Sequence, residues 1–207
     1  MSVEAATTVY DQLSIDADTA DRLFIKARTA NTFSDEKVSD ETLEAIYELT
    51  KMGPTMMNNQ PLRITWVKSA EARETVVSKM LEGNRAKSLS APALAVLSYD
   101  ADWHEQFPLF FPHAPERKAN FDEDVAARAE TAKNNAWMQS GYFIMAIRAA
   151  GLHAGPMGGF DPVGMDSVIN EGTANHAFLV VNIGTPGKNP WFDRLPRLDS
   201  DVATTSI

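Results

Sequence analysis

Ala126-Ala-Arg-Ala-Glu-Thr-Ala-Lys-Asn-Asn-Ala136-Trp-Met-Gln-Ser-Gly-Tyr-Phe-Ile-Met-Ala146-Ile-Arg-Ala-Ala150 is the stretch on which the fold of this 207-residue chain turns. Its spacing predicts one long helix, apolar nearly all round in its second half, and a helix of that kind is buried on several sides. Ala136, Ser140, Gly141 and Ala146 are small enough to admit another helix at close range, and Gly151 ends the run. The segment from Ala136 is too short to span a bilayer, and Lys133 and Arg148 flank or enter it. Ala136 to Ile147 is too apolar to face water on any side, which predicts that a second copy of the chain covers part of it.

Helices are expected before this stretch. One covers Thr19 to Thr29, with Leu23, Phe24 and Ala27 at helical spacing. Another is capped by Asp40, carries Leu43, Ile46, Tyr47 and Thr50 on one face, and stops at Gly53-Pro54. A third opens at Ser69 and turns Val76, Val77 and Met80 inward. Ile64 to Lys68 reads as a strand, and so does Ala93 to Tyr99, whose almost continuous apolar run suits a strand buried on both faces. Trp103 to Asn120 is irregular and rich in Phe, Pro and His. After the long helix, Asp161-Pro162 starts a short helix, Ala177 to Ile183 gives a third strand, and the chain past Gly184 is polar and extended, as a disordered tail or an arm laid on a partner would be. Helices come first and strands separated by helices follow, with no Gly-x-Gly-x-x-Gly after a strand and no Walker loop, so the expectation is a single α+β domain, with residues 1–17 as an N-terminal arm and 185–207 as a C-terminal extension.

Composition narrows the function. Nineteen basic residues against 28 acidic ones give a net charge of −9, and no Lys/Arg cluster offsets it, which argues against nucleic acid or an anionic membrane as partner. The absence of cysteine excludes disulfides, thiolate metal sites and a Cys nucleophile, and suits a reducing cytoplasm. The acidic N-terminus has no signal-peptide pattern. His104, His113, His153 and His176 have no metal-ligand spacing, so no metal is expected, and there is no Gly-x-Ser-x-Gly elbow.

Four stretches could carry chemistry. Arg28 and Thr29, in Lys26-Ala-Arg-Thr-Ala-Asn31-Thr-Phe33, pair a fork of donors with a hydroxyl, which suits a phosphate, although an arginine at a helix end is commonly just solvated. Gly53-Pro54-Thr55-Met56-Met57-Asn58-Asn59-Gln60-Pro61 is an amide-rich loop bracketed by prolines; its side chains can read a uracil-like ring edge, and the same residues also suit a plain turn. Gly155-Pro156-Met157-Gly158-Gly159-Phe160-Asp161 reads as a loop whose glycines let a ligand approach backbone N–H groups before a helix start, or one that only needs positive φ. Arg194-Leu-Pro-Arg197 places two arginines in an acidic tail, ready for a phosphate or for solvent.

In this order, the four stretches resemble the nitroreductase family of flavoproteins over about Asp21 to Leu198. The basic-plus-hydroxyl motif is similar to Arg28, Thr29, Asn31 and Phe33. The family's Pro-Ser-Ser-x-Asn-x-Gln-Pro loop is similar to Pro54 to Pro61, with Thr55 for one serine and Met56 for the other. A mid-chain asparagine corresponds to Asn84, the glycine loop to Met157 to Asp161, and the basic tail to Arg194 and Arg197. Many members have an acidic residue where Gly158 stands, so contacts at that corner would fall to backbone. Within the family, Met52 to Thr55, Phe111-Pro-His113, Gly155 to Asp161 and Arg194 to Leu198 look most like the malonic semialdehyde reductase branch of uracil breakdown.

The resemblance implies a mostly antiparallel central sheet flanked by helices, the long helix at a homodimer interface, and a C-terminal arm reaching the partner subunit. It implies two FMN sites, each built from both chains. Arg28, Thr29, Arg194 and Arg197 would hold the phosphate, and Asn31 and Asn84 would address the pyrimidine edge. Pro54, Thr55 and Met56 would approach from the second subunit, Gly158 and Gly159 would present backbone N–H near the reactive flavin nitrogen, and Asn58, Pro156 and Met157 would also contact the cofactor. NADH or NADPH would give hydride and a small electrophile would take it, in ping-pong order and with no side chain named as catalyst. For that branch the reaction is malonic semialdehyde to 3-hydroxypropionate. The alternatives are a broad nitroaromatic or quinone reductase and a flavin-binding protein without turnover.

Overall fold

Strand β2, Ala93–Asp100, organises the domain. Every residue from Ala93 to Ser98 is buried, and alternation sends Leu94 and Val96 to one face and Ala95 and Leu97 to the other. In the computed structural model, which describes residues 9–207, β2 pairs antiparallel with β1 (Leu62–Trp66) and β4 (Asn175–Gly184), and β4 pairs antiparallel with β3 (His153–Met157), giving the order β1-β2-β4-β3. Residues 1–8, and with them half of the expected N-terminal arm, lie outside the described residues.

Helices cover both faces. On one face, α2 (Asp40–Thr50) and the long α5 (Val125–Ala149) bury Leu43, Ile46, Phe143 and Ile147 against Ala95, Leu97, Val181 and Ile183. On the other, α3 (Ala70–Ser78) and α6 (Pro162–Ile169) close over Leu94, Val96 and Val180 with Val76, Val77 and Met165. Between β2 and α5 an excursion folds around a third cluster of Trp103, Phe107 and Ala132, with Met57 of the 54–61 loop packed against it.

The local physics explains several boundaries. Ser39, not Asp40, caps α2, because its hydroxyl accepts from the Thr42 amide at 3.2 Å, while Asp40 sits in the first turn where its charge favours the helix dipole. Ser69 caps α3 and Asp124 caps α5 in the same way. Gly151, at φ +79°, ends α5 where a side chain would strain the backbone. The helix expected over Thr19 to Thr29 is shorter and of two kinds: α1 (Ala17–Ala20) widens into a π-helical turn over Asp21–Ile25.

Two elements depart more sharply from expectation. Gly155, Pro156 and Met157 belong to β3 rather than to a loop; Pro156 is tolerated because β3 is an edge strand, where a missing N–H forfeits nothing. The second is α4 (Glu82–Ser90), which has no apolar periodicity to announce it. Its C-terminal end is held from outside: Arg73 of α3 donates to the carbonyls of Ser88 at 2.9 Å, Ala91 at 2.5 Å and Pro92 at 3.4 Å. Arg73→Met should therefore lower the unfolding free energy by about 1.5–3 kcal/mol, the value of hydrogen bonds to a charged group. A urea midpoint equal to that of the wild type would show that these carbonyls find water instead.

Candidate functional site

β3 is the spine of the site. The segment Arg28 to Phe33 runs along its outer side, so that the Ala30 carbonyl would lie 3.2 Å from a Cβ on Gly155, and Phe33 bridges to Pro186 at the start of the tail. The tail holds this segment in turn, with Pro190 accepting from the Asn31 amide at 3.0 Å and the Trp191 ring tilted against that of His153 at 5.1 Å.

At one end of β3 is a recess of about 250 Å³ lined by Arg28, Thr29, Asn31, Arg148, Arg194 and Arg197 among others. Its four guanidinium groups are fixed by neutral carbonyls. Arg28 donates to Phe192, Arg194 to Ile25 at 3.0 Å and Ala27 at 3.3 Å, Arg197 to Leu195 and Pro196, and Arg148 to Leu23 at 2.7 Å. Among the described residues none of the four has a carboxylate at ion-pair distance. Asp193 also lines the recess, so four guanidinium groups face one carboxylate there; in a chain of net charge −9 this is a local excess of positive charge, and guanidinium forks match a phosphate dianion. Arg148 is a member that sequence reasoning missed. Its one signal was a single charge in the last turn of an otherwise apolar helix; burial pushes its guanidinium below the usual value, yet an arginine stays charged.

At the other end, about 17 Å away along a five-residue strand, is the Gly158-Gly159 turn. The Gly159 carbonyl accepts from the Leu81 amide at 3.0 Å and from Asn84 Nδ2 at 3.1 Å, and the Asp161 amide donates to Lys79 at 2.8 Å, so the turn is pinned from both sides. Neither glycine has positive φ, so neither is there for a left-handed backbone. A Cβ on Gly159 would stand 2.7 Å from Asn84 Nδ2, whereas a Cβ on Gly158 would meet nothing within 4 Å. Among the described residues no acceptor meets either glycine N–H. The turn thus holds two backbone donors without a partner among the described residues, with Gly158 exposed. Asn31 lies with the arginines and Asn84 beneath the turn, so the two expected readers of one ring edge stand at opposite ends of β3. Met157 points into the core, with its sulfur 3.9 Å from the Ser88 hydroxyl.

The loop 54–61 is rigid and strained. Met57, Asn58 and Gln60 all have positive φ, a region that non-glycine residues rarely adopt. Four anchors hold it. Asn135 of α5 accepts from the Met56 amide at 2.8 Å, Tyr142 donates to the Pro54 carbonyl at 3.0 Å, Asn58 donates to the Phe110 carbonyl at 3.1 Å, and Gln60 donates to Asn58 at 3.0 Å. This loop does not join the other residues in the folded chain. It leads into β1, while the glycine turn leaves β3 at the same end of the sheet but on the opposite edge, three strand spacings or about 14 Å away.

His104, Glu105 and Asp122 approach one another closely enough to hold a metal ion, a grouping the histidine spacing did not suggest. Cations already meet it: Lys118 lies 2.6 Å from Asp122 and 3.3 Å from Glu105, and Arg128 lies 2.9 Å from the His104 ring.

This fold and site define a class of α+β protein that offers an arginine-rich recess and a donor turn at the two ends of one edge strand. The nitroreductase family profile matches residues 25–185, and the chain belongs to that family. It is 46% identical over 195 residues to a protein of Streptomyces griseus, covering 94% of this chain and 99% of that one, and 48% identical with the same coverage to a protein of Streptomyces coelicolor. Both carry the provisional name NADH dehydrogenase/NAD(P)H nitroreductase. Neither name mentions malonic semialdehyde. Among solved structures, a protein of Exiguobacterium sibiricum described provisionally as a nitroreductase in complex with FMN shares the fold, with a TM-score of 0.76 at 18% identity over 95% of this chain and 99% of that one.

Proposed function

We propose that this protein is an FMN-dependent NAD(P)H oxidoreductase that works as a homodimer and passes hydride to a small electrophile. The observation that carries the reading is the pair of features along β3: four arginines gathered around a single aspartate, Asp193, at one end, and two backbone donors without an acceptor among the described residues at the other. FMN fits them, since it carries a phosphate dianion at one end and a hydrogen-bond-accepting ring system at the other. When bound, it supplies two-electron exchange between a nicotinamide and a substrate. This chain's part is to bind and orient. Arg28, Arg148, Arg194, Arg197 and Thr29 would hold the phosphate, Asn84 fixes the Gly158-Gly159 turn, and the N–H groups of the turn would serve as hydrogen-bond donors to the ring system. The names of the relatives and of the FMN-bound neighbour support the cofactor and the nicotinamide donor.

The separation of the 54–61 loop from the glycine turn supports the dimer, because a second chain can bring its own loop to the turn. The surface such a partner would cover is at hand. Trp137, Met138 and Gly141 form an exposed stripe on α5, beside a recess lined by Leu23, Leu49, Gly53, Tyr142, Met145 and Ala149. The expectation that Ala136 to Ile147 could face water nowhere is thus met within one chain only in part. Light scattering of the FMN-loaded protein at micromolar concentration should give twice the 22.7 kDa chain mass. A monomer would contradict the shared site.

Among the described residues no helix is long and apolar enough to cross a membrane, and we place the protein in the cytoplasm, where a chain without cysteine is at home. The deciding experiment is simple. The purified protein should be yellow, and NADH or NADPH should bleach it in stopped-flow mixing. A colourless protein that takes up no FMN ends this reading; bound flavin that neither coenzyme bleaches leaves a binding protein. The names of the relatives favour nitro compounds as acceptors, and the family branch suggested by the sequence favours malonic semialdehyde going to 3-hydroxypropionate. Comparing kcat/KM for that aldehyde, a nitroaromatic and a quinone separates the two.

A further inference from the structure

The excursion between β2 and α5 is strongly charged, and its charges are sorted. Lys118 pairs with Asp122 and Glu105, His104 lies 3.1 Å from Asp122, and Arg128 lies 3.0 Å from Asp102. Lys118 and Arg128 thus each have an acid. Two others do not: among the described residues, His113 and Arg117 have no carboxylate at ion-pair distance, though the chain is acidic overall. Both gather on one aromatic ring. The His113 ring centroid is 3.8 Å from that of Phe111, and the Arg117 guanidinium lies 6.0 Å from the same centroid. Phe111 in turn belongs to the 54–61 loop's surroundings, because it packs with Met57 on the Trp103–Phe107 cluster and its neighbour Phe110 accepts from Asn58. Arg117 and His113 are therefore carried on a segment packed against the 54–61 loop, the loop that the proposed function brings to a partner's site.

We propose that Arg117 and His113, backed by Phe111, form an anion subsite for the molecule that exchanges electrons at this site, so that the enzyme prefers negatively charged reactants. This inference rests on the proposed function. Physically, a cation held against an aromatic face and left without an internal acid keeps its charge available to a ligand, and a carboxylate is the group a guanidinium fork fits. Two reactants could bring the anion: an electrophile with a carboxylate, or a nicotinamide coenzyme with an extra phosphate.

The test separates them. Holoenzyme would be assayed with 4-oxobutanoate and with butanal, a charged and a neutral aldehyde of equal chain length, and flavin bleaching would be followed with NADPH and with NADH. Arg117→Gln should raise KM for 4-oxobutanoate about 5- to 15-fold, the range set by a charge-assisted contact that is partly screened. It should leave butanal turnover and kcat largely unchanged, Arg117→Lys should restore part of the loss, and the effect should shrink as salt is added. If bleaching by NADPH slows instead while NADH is unaffected, the subsite reads the coenzyme phosphate. If Arg117→Gln and the His113→Gln/Arg117→Gln double variant keep both ratios at the wild-type value, there is no subsite. A variant that no longer holds FMN would place Arg117 in the cofactor site and would equally overturn the proposal. A wild type that binds no FMN is a different failure, that of the proposed function.

Discussion

Gly159→Val should slow bleaching of bound flavin by NADH or NADPH by about 100-fold, the scale of losing one preorganised backbone donor at a charge-developing atom. FMN affinity should fall far less, because the arginine recess at the other end of β3 is untouched. The reason lies in the geometry of the turn. A Cβ at this position would stand 2.7 Å from Asn84 Nδ2 and 3.3 Å from Leu81 Cδ1, so a branched side chain displaces both side-chain ends, and with Asn84 goes the hydrogen bond that seats the turn. Gly159→Ala is not expected to be innocent even though the φ of Gly159 is not positive. Its single methyl still displaces the Asn84 amide and so breaks the 3.1 Å bond that fixes the Gly159 carbonyl. Asn84→Ala in the same chain should return part of the rate by making room, a coupling that a double-mutant cycle reads directly. The measurement is single-turnover bleaching at saturating FMN. A Gly159→Val protein that bleaches as fast as the wild type would put the reactive edge elsewhere.

Arg28→Ala should weaken FMN binding by about 10- to 150-fold, corresponding to loss of a charge-assisted hydrogen bond of roughly 1.5–3 kcal/mol. Arg28 has a second role to control for, since it also donates to the Phe192 carbonyl and so fastens the tail. Arg28→Lys keeps the charge but loses the fork, and should recover only part of the affinity. Arg148→Met gives an independent measure of the same recess from a residue on α5, and should weaken FMN in the same direction. Fluorescence titration that returns wild-type affinity for Arg28→Ala would remove Arg28 from the cofactor site.

The two ends of the site were not equally legible in the sequence. Arg28, Thr29, Arg194 and Arg197 were legible as candidates for a phosphate because residue type alone states what a guanidinium or hydroxyl can bind, and what the structure adds is that they line one recess. Arg148 was not, because a lone arginine in an apolar helix is read first as a charge to be tolerated. The glycine stretch was legible as a close approach but misjudged in form. Gly155 and Pro156 are poor strand formers, and only pairing with Val181 and Asn182 of β4 makes them a strand. The absence of a Cβ at Gly159 answers to Asn84, 75 residues away, which no local pattern can display.

What the sequence determined by itself is whatever depends on local periodicity and residue chemistry. The apolar run of β2, the length of α5 with its stop at Gly151, the caps at Ser69 and the donors for a phosphate all follow from side chains within a few residues of one another. What only the tertiary structure decided depends on which distant segments meet. That includes Arg73 closing the end of α4, the three positive-φ residues held in the 54–61 loop by Asn135, Tyr142 and Phe110, and the placement of that loop and the glycine turn on opposite edges of one sheet. Strand order and side-chain anchoring are set by free-energy gains between residues far apart in the chain, and such gains leave no period in the sequence to read.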